Sequence, residues 1–405
     1  MKIAMVSDYA SPIAAPGGPD AGGQNVHVAA LSAALVRHGH EVVVFTRRES
    51  ESVPERLRAP EGYDVIHVSA GPVETIPKDD LLPHLRQFAH RVRDYFSHSE
   101  FDVVHSHFWT SGLTAGLAGR TCHLPIVHTF HALGIVQKRY EGAGDTSPPE
   151  RIPLECKVGR SVDAVVATSS DEVFELVRMG IPRSRIAVVP CGVDVDEFRP
   201  DGPRTRRSNR SRLTSVGRLV PRKGFDVAIR ALAKLANTEL VIAGGPTDGA
   251  VREDAEARRL SDLAARLGVA ERLAMPGRVP RNLMPRLLRS TDVVVCSPWY
   301  EPFGIVPLEA MACSKPVVAS AVGGLADTVV DGITGIHVPP RNSDALAHAV
   351  HTLLREPLRR EQYGYAGRDR AVQRYAWDRI ADETERIYRT VSGQLLPHST
   401  GGVGR

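Results

Sequence analysis

The chain has 405 residues, which is too long for one typical hydrophobic core and makes two domains the natural expectation. Basic and acidic residues number 51 and 47, a balance that gives no support for a nucleic-acid partner. No run of 18 apolar residues occurs, so no integral membrane segment is predicted. Five scattered cysteines without a Cys-x-x-Cys pair predict free thiols in a reduced, cytoplasmic compartment.

The first half of the chain alternates apolar strands with helices. Its opening residues are typical of a strand rather than a signal peptide, because their apolar stretch is too short. Strands are predicted over residues 3–6, 41–45, 63–68, 101–105, 125–129, 164–168 and 186–189, and helices over 24–38, 81–96 and 113–118. This alternation predicts a doubly wound, parallel α/β domain, which we place at residues 1–195.

A loop rich in glycine and proline joins the first strand to the first helix and ends in Gly22 and Gly23. It lacks the G-x-G-x-x-G spacing of a dinucleotide-binding fingerprint. The two glycines either let the phosphate or sugar of a ligand approach backbone N–H groups, or they belong to a flexible surface loop. The loop alone leaves both interpretations open.

A second series of the same kind fills the other half of the chain. Residues 190–200 mark the predicted boundary, and the arginine-rich stretch 201–212 is interpreted as a solvated linker because no aromatic residue interleaves its arginines. Strands are predicted over 213–216, 239–243, 292–296, 316–320 and 335–338, and helices over 225–235, 252–267, 344–354 and 377–391. We therefore place a C-terminal domain at 196–376 and a disordered tail at 393–405.

The segment 297–319 combines a loop, a helix and a buried strand. It holds two acids eight residues apart: Glu301 in the loop, and Glu309 in a helix that begins near Gly304. A helix start offers free backbone N–H groups to an anion. A nucleotide sugar could use these groups for phosphate and the carboxylates for its vicinal hydroxyls. An ordinary αβ unit with surface acids is the alternative.

Two cations open the second domain, Arg218 at the end of a strand and Lys223 in the turn before a helix. Such a pair can clamp a diphosphate, since arginine offers a planar fork and lysine a point charge. The same charges would stabilise a departing nucleotide diphosphate. Exposed cations of this kind are also common without a function.

Together these motifs resemble the retaining glycosyltransferases of the GT-B fold, in the large fourth family. They cover nearly the whole chain in the order expected for the family: Gly22-Gly23, Gly217-Arg218, Lys223-Gly224, Gly244-Gly245, Glu301-Pro-Phe-Gly304, Glu309, Gly323-Gly324 and Asp331-Gly-Ile-Thr-Gly335. Within the family, GGPDAGGQNVHV and PKDDLLPHL are most similar to the enzymes that add N-acetylglucosamine to inositol phosphate in mycothiol synthesis, and HTFHALG and RIPLE to sucrose-phosphate-synthase-type enzymes.

The resemblance implies two Rossmann-like parallel-sheet domains facing a central cleft, with the helix 377–391 packing back on the first domain. It implies that Arg218 and Lys223 bind the donor diphosphate, Glu309 the ribose hydroxyls and Glu301 the transferred sugar. By the same resemblance, His131 touches the donor sugar near the reacting carbon. These roles make His131, Glu301, Arg218 and Lys223 the candidate catalytic residues, and the donor site is completed by Gly22, Gly23 and the backbone of Phe303, Gly304 and Ile305.

The acceptor side is less well specified. Lys78 and Arg151 match positions that bind the acceptor phosphate in the inositol-phosphate enzymes, and His107 is a further candidate contact. That group tends to have tyrosine where this chain has Phe108, and threonine where it has Ala132. Both hydroxyls would bind the acceptor phosphate, and this chain has neither of them. The acceptor is therefore expected to be a sugar phosphate, an inositol phosphate or an unphosphorylated aminocyclitol.

No metal or other cofactor is predicted. Asp194-Val195-Asp196 spells the D-x-D motif that holds a metal in another glycosyltransferase fold, but here it follows a glycine at a domain junction. His105 and His107 lie two apart on one strand face, and no third and fourth ligand at fixed spacing accompanies them. A structural or substrate-contact role is preferred for these two histidines.

The sequence thus predicts a metal-independent, retaining glycosyltransferase with a nucleotide-sugar donor and a small polar acceptor as its partners. Two alternatives stay open: a sugar phosphorylase of related architecture, for which no pyridoxal-phosphate lysine motif is present, and a non-catalytic nucleotide-sugar-binding protein. The nucleotide base, the sugar and the acceptor are not specified. A homodimer is considered as a possible assembly, and the sequence does not fix the oligomeric state.

Overall fold

The computed structural model describes residues 1–13, 22–246 and 250–394, which form two helix-covered sheets. The first sheet has eight strands in the order β3-β4-β2-β1-β5-β6-β7-β8. All neighbours are parallel except β3, which pairs with β4 in the antiparallel sense at one edge. The strands are β1 Lys2–Val6, β2 Glu41–Arg47, β3 Arg56–Arg58, β4 Asp64–Val68, β5 Val103–His107, β6 Ile126–Thr129, β7 Ala164–Ala167 and β8 Ile186–Val188.

The second sheet has six strands, all parallel, in the order β11-β10-β9-β12-β13-β14. This is the strand order of a dinucleotide-binding Rossmann sheet. The strands are β9 Ser211–Val216, β10 Thr238–Ala243, β11 Leu273–Gly277, β12 Val293–Cys296, β13 Val317–Ser320 and β14 Gly335–Val338. The prediction of two parallel-sheet α/β units is confirmed.

Helices cover both faces of each sheet, which is why the strands read as continuous apolar runs. Those of the first half are α1 Gly23–Arg37, α2 Leu85–Ser97, α3 Trp109–Thr121, α4 Gly134–Glu141, α5 Arg151–Ser161 and α6 Ser170–Arg178. Those of the second half are α7 Phe225–Leu232, α8 Ala255–Arg266, α9 Met284–Arg289, α10 Ile305–Ala312, α11 Gly324–Thr328, α12 Ser343–Arg355, α13 Pro357–Tyr375 and α14 Trp377–Val391.

The strand order reverses once in each sheet, between β1 and β5 and between β9 and β12. Loops that leave the carboxyl ends of two such neighbouring strands diverge and leave a crevice, where ligands of open α/β sheets bind. The predicted motifs follow these strands: Gly22-Gly23 after β1, Arg218 and Lys223 after β9, and Glu301 after β12. The topology therefore places them at two crevices.

The last helix, α14, lies against α1 and the first sheet. Its Tyr388 hydroxyl is 2.7 Å from Nδ1 of His105 in β5, and both side chains are fully buried. At its start, the Trp377 ring packs edge-on to His27 with ring centroids 5.3 Å apart. A side chain at Gly192 would collide with Trp377, so this glycine permits the close approach. The end of the chain is thus anchored in the first half.

Several elements differ from the predicted ones. The predicted strand 101–105 extends to His107, and the stretch assigned to the linker already contributes Ser211 and Arg212 to β9. The helix predicted over 344–354 begins one residue earlier, at Ser343. The cap is Asn342, whose side-chain oxygen accepts the N–H groups of Asp344 and Ala345. Elements without a prediction are β3, β11, α4, α5, α6, α9, α11 and α13.

Among the described residues, no helix combines the length and the apolar character that crossing a membrane requires. All five cysteines are free thiols. Most of the tail predicted to be disordered, residues 395–405, lies outside the described residues, as do residues 14–21 of the first loop. The proposed boundary at 195/196 falls in the segment between β8 and β9 and stays a prediction.

Candidate active site

A cavity of about 940 Å³ opens between the carboxyl ends of the two sheets. One side, which we call the N-terminal wall, is formed by residues 9, 22–26, 77–79, 108, 131, 132, 137, 141, 144 and 146. The facing C-terminal wall is formed by residues 215–218, 220–223, 225, 296–299, 301–307 and 325. The structure brings ten of the predicted site residues to this cavity: Gly22, Gly23, Lys78, His131, Arg218, Lys223, Glu301, Phe303, Gly304 and Ile305.

Three helices begin at the cavity: α1 on the N-terminal wall, and α7 and α10 on the C-terminal wall. The starts of α1 and α10 touch, since a Cβ placed on Gly23 would lie 3.1 Å from Ile305 and 3.4 Å from Phe303. Gly224, before α7, has a φ of +66°, and a Cβ there would overlap the carbonyl oxygen of Ser297. Unpaired N–H groups and helix dipoles therefore converge on one space, which favours an anion.

Lys223 and Glu301 form an ion pair on the C-terminal wall. Burial acts to raise the pKa of Glu301, but the positive charges of Lys223 and Arg222 outweigh it, so the pKa lies below its ordinary value. Glu301 is therefore a carboxylate, and each partner currently neutralises the other. An anion that attracted Lys223 would release Glu301 to accept hydrogen bonds from hydroxyl groups.

Two arginines extend the positive charge of this wall. Arg218 is exposed, and no ion pair to it is found in the part of the chain that the structure describes. Arg222 crosses the cavity to the N-terminal wall, where its Nε lies 3.3 Å from a carboxylate oxygen of Glu141. A second contact between the walls joins the rings of His131 and Phe303, which are tilted by 54° with centroids 5.4 Å apart.

His131 stands at the turn after β6, with a left-handed φ of 63°. Its Nε2 shares a 2.9 Å hydrogen bond with Nδ1 of His107, and its Nδ1 has no hydrogen-bond partner among the described residues. Burial holds the pKa of His131 well below its ordinary value, and the nearby His27 and His105 act in the same direction. His131 is consequently neutral near pH 7, and it can form a hydrogen bond to a sugar but is poorly suited to accept a proton.

His107 does not line the cavity. It lies behind His131 in a column of buried rings. Its ring is tilted by 35° to that of His105 with centroids 4.2 Å apart, and His105 in turn contacts Tyr388 of α14. Burial also lowers the pKa of His107 and His105 well below the ordinary value. The preferred structural role of these two histidines therefore agrees with their surroundings, and His107 meets a ligand only through His131.

Glu309 also lies off the cavity, in the second turn of α10. It is 4% exposed and forms a 2.7 Å ion pair with Arg281. Burial raises the pKa of Glu309, although Arg281 acts in the opposite direction. Its predicted contact with ribose hydroxyls is not tested by this geometry and stays a prediction.

The two acceptor cations are placed differently. Lys78 lines the cavity, with its Nζ 2.8 Å from a carboxylate oxygen of Asp79. Arg151 is 1% exposed and lies behind the wall, where its Nε is paired with Glu155 at 2.8 Å. The structure thus brings Lys78, but not Arg151, to the cavity surface.

The residues considered for metal binding lie elsewhere. Oδ1 of Asp194 accepts the backbone N–H groups of Asp196 and Glu197 and so caps a turn outside this cavity. Within the described ranges, three histidine and acid side chains come within ligand distance of one another at one place, between α1 and α14, and these are His38, Asp382 and Glu385. The predicted absence of an essential metal stays a prediction.

Several cavity residues were missed by sequence reasoning. Arg222 and Asp79 adjoin predicted residues and could have been found from their neighbours. Gln24 follows Gly23 and is buried, where its amide binds the Ser7 hydroxyl and the carbonyl oxygen of His107. Glu141 in the cavity, and Arg281 outside it beside Glu309, carry no local signal, because each meets its partner only through the folded chain.

Two family profiles divide the chain between them. The description "Glycosyltransferase Family 4" matches residues 21–197, and "Glycosyl transferases group 1" matches residues 201–370. The chain is similar over nearly its whole length to relatives named D-inositol 3-phosphate glycosyltransferase. Those of Xylanimonas cellulosilytica and Kribbella flavida are each 37% identical, over 405 and 410 residues, and the match covers 96% of this chain and 96% of each relative.

Solved structures agree with these matches. Sucrose-phosphate synthase from Thermosynechococcus elongatus has a TM-score of 0.88 and 29% identity, covering 97% of this chain and 100% of that one. Anabaena HepE in complex with UDP has a TM-score of 0.71 at 19% identity, with the same coverage, a likeness that concerns the fold alone. The chain is a glycosyltransferase, and it belongs to the GT-B glycosyltransferases of family four.

Proposed function

We propose that this glycosyltransferase moves a sugar from a nucleotide-diphosphate donor to a hydroxyl of a small polar acceptor, with retention of configuration and without an essential metal. The observation that carries the proposal is the C-terminal wall, where Arg218, Arg222 and Lys223 face the cavity beside the starts of α7 and α10. Cations and helix starts both stabilise phosphate. They also stabilise the charge that grows on a departing diphosphate.

Donor binding would rearrange the ion pair of this wall. A diphosphate competes with Glu301 for Lys223, and the released carboxylate then accepts hydrogen bonds from the hydroxyls of the transferred sugar. In the proposal, Glu309 binds the ribose hydroxyls next to Arg281, and the N–H groups at the start of α10 bind the sugar phosphate. Phosphate binding thereby prepares the site for the sugar.

The proposed transfer needs no protein base. The bond between the anomeric carbon and the phosphate oxygen breaks, the acceptor oxygen bonds to the same face of that carbon, and the acceptor proton passes to the departing phosphate. Positioning and electrostatic stabilisation carry such a reaction. The neutral His131 supports it as a hydrogen-bonding contact beside the reacting carbon.

A two-step experiment tests this proposal. Nucleotide diphosphates and their sugars are first screened by thermal shift, and the donor that stabilises the protein most is then incubated with candidate acceptors. We expect nucleotide diphosphate release, and a product with the donor's anomeric configuration by NMR. Donor binding without transfer or slow hydrolysis would favour a non-catalytic binding protein. Phosphate-dependent turnover with a bound pyridoxal absorbance would favour a phosphorylase.

A further inference from the structure

We propose that the acceptor is a small polyol without a phosphate group. The inference rests on the proposed transfer. Of the acceptors expected from the sequence, it excludes the sugar phosphate and the inositol phosphate and keeps the unphosphorylated class. It is carried by the N-terminal side of the cavity, where both cations that the resemblance assigns to an acceptor phosphate, Lys78 and Arg151, are paired with carboxylates. Three observations support this: the contacts of Arg151, the contacts of Lys78 and the net charge of the wall.

Arg151 is engaged in holding the wall together. Its Nε binds Glu155, its Nη1 binds Gln137 and Ser147, and its Nη2 binds the carbonyl oxygen of Ala132, all at 2.8–3.1 Å. The Glu155 side chain is fully buried. Drawing Arg151 toward a ligand would leave that carboxylate without its cation, which is strongly unfavourable in a protein interior.

The Arg151–Glu155 pair instead shapes two strained turns. Its guanidinium lies 5.1 Å from the centroid of the Phe108 ring, and Phe108 has a φ of 78°. Glu155 accepts the backbone N–H of Gly134, three residues after His131, whose φ is 63°. Left-handed φ values are uncommon for residues other than glycine and persist where surrounding contacts impose them. Arg151 is therefore a positioning residue for both turns.

Lys78 is the one cation among the described residues of the N-terminal wall. Its Nζ binds Oδ1 of Asp79 at 2.8 Å, and the hydroxyl of Thr146 binds Oδ2 at 2.8 Å. Asp79 is thus held in place from both sides and neutralises the lysine. A phosphate would have to compete with Asp79 for Lys78, as a diphosphate competes with Glu301 for Lys223, but the described residues of this wall offer it no second cation.

The charge of the whole wall points the same way. Counting the described lining residues, one lysine stands against two carboxylates, Asp79 and Glu141, a net charge of −1, while the C-terminal wall has three cations and one carboxylate, a net charge of +2. Phe108 and Ala132 add no hydroxyl to this surface. A phosphate ester would be drawn to the donor side, whereas a neutral or amine-bearing polyol suits the N-terminal wall.

Matched acceptor pairs test the inference on the full-length protein. UDP release from UDP-N-acetylglucosamine or UDP-glucose, whichever gives the larger thermal shift, is measured with inositol against D-inositol 3-phosphate and with glucosamine against glucosamine 6-phosphate. We expect kcat/KM to favour the phosphate-free member by about tenfold or more. Preference for the phosphate ester overturns the inference but supports glycosyl transfer. Release no faster than donor hydrolysis with every acceptor also counts against the inference.

Two variants and a matched control test whether the Lys78–Asp79 pair causes the preference for phosphate-free acceptors. Asp79→Asn releases Lys78, so the preference should move toward the phosphate ester by about tenfold, while Asp80→Asn, an exposed neighbour outside the cavity, should leave it unchanged. Lys78→Ala should affect both members of each pair equally. Selective loss of the phosphate ester in Lys78→Ala shows a phosphate contact and refutes the inference, even where Asp79→Asn fails to fold. Failure of both nucleotide diphosphates and donors to bind would instead refute the proposed function.

Discussion

The C-terminal wall holds three cations near the starts of two helices, whereas the described part of the N-terminal wall holds one lysine, paired with Asp79, and a second carboxylate, Glu141. Their binding groups are also held differently. The C-terminal cations lie at or near the surface and can exchange partners, while the N-terminal wall is stiffened from behind by buried pairs and histidine rings. The comparison indicates a division of labour: one wall is built to bind and release an anion, and the other to hold a fixed shape.

The largest effect is expected from removing the carboxylate of the C-terminal wall. Glu301→Ala should lower kcat/KM for transfer by about 100-fold or more, roughly 3 kcal/mol, because the sugar loses its hydroxyl contact in the transition state. Affinity for free nucleotide diphosphate should be kept, since Lys223 no longer has a competing partner. Isothermal titration and steady-state kinetics measure both. Equal losses of binding and transfer would show that Glu301 serves the nucleotide rather than the sugar.

A smaller effect is expected from removing a cation of the same wall. Lys223→Ala should weaken nucleotide diphosphate binding by about 10- to 30-fold, as a charge-assisted contact is worth roughly 1.5–2 kcal/mol, and should leave nucleoside binding nearly unchanged. Lys234→Ala is a suitable control, because this lysine is paired with Asp344 outside the cavity. Undiminished diphosphate affinity in Lys223→Ala would remove the main support for an anion-binding wall.

The first half of the chain, which carries the N-terminal wall, should lose stability in acid. Burial lowers the pKa of five histidines in the first half of the chain. The pKa falls to about 4 for His27 and to about 3 for His128, and it lies well below 6.5 for His105, His107 and His131. The unfolded chain takes up protons at these positions below about pH 6.5 while the folded chain does not, so stability falls as the pH drops. Each histidine should cost about 1 kcal/mol between pH 7 and 5.5.

Hydrogen exchange at pH 7 and pH 5.5 measures this acid effect. The second sheet provides an internal control, because none of the five histidines lies in it. Amides of β5 and β6 should lose protection earlier than those of β9 and β12. An equal loss of protection in the two sheets would show that the buried histidines are not the cause of acid destabilisation.

The smallest expected effect is that of a chelator. If the cations of the C-terminal wall take the place of a metal, millimolar EDTA should change the transfer rate by less than about twofold. The assay is repeated with added magnesium after dialysis. A loss that a divalent ion restores would mean that this wall binds its diphosphate through a metal.

The sequence predicted elements where burial imposes a clear pattern. Valine-rich runs such as those of β2 and β12 are covered on both faces and could be recognised, whereas β11, with the sequence LAMPG, has no β-branched residue. The helix α13 was missed because charged residues and glycines interrupt its apolar spacing. Its glycines are explained by the fold, since a side chain at Gly364 would collide with Ser314.

The site was predictable where function depends on a short motif and not where it depends on pairing. Arg218, Lys223 and Glu301 could be selected because each lies within three residues of a glycine in a loop that follows a strand. The partnership of Lys223 with Glu301, 78 residues apart, depends on the adjacency of β9 and β12, which no local pattern reports. Arg151 was likewise predicted to bind the acceptor phosphate, because the sequence does not report its partners. In the folded chain it binds Glu155 and the carbonyl oxygen of Ala132 and so supports the wall.

The docking of α14 on the first half has a consequence for how the two halves can move. The chain passes between them twice, near residues 189–210 and again near residue 376, and at the two passages Val193 pairs with Ala376. The second half is therefore an insertion within the first, and two neighbouring chain segments connect the halves. Two neighbouring connections permit hinge bending about the line through them and oppose twisting, so the cavity can open and close while its two walls keep the same faces opposed.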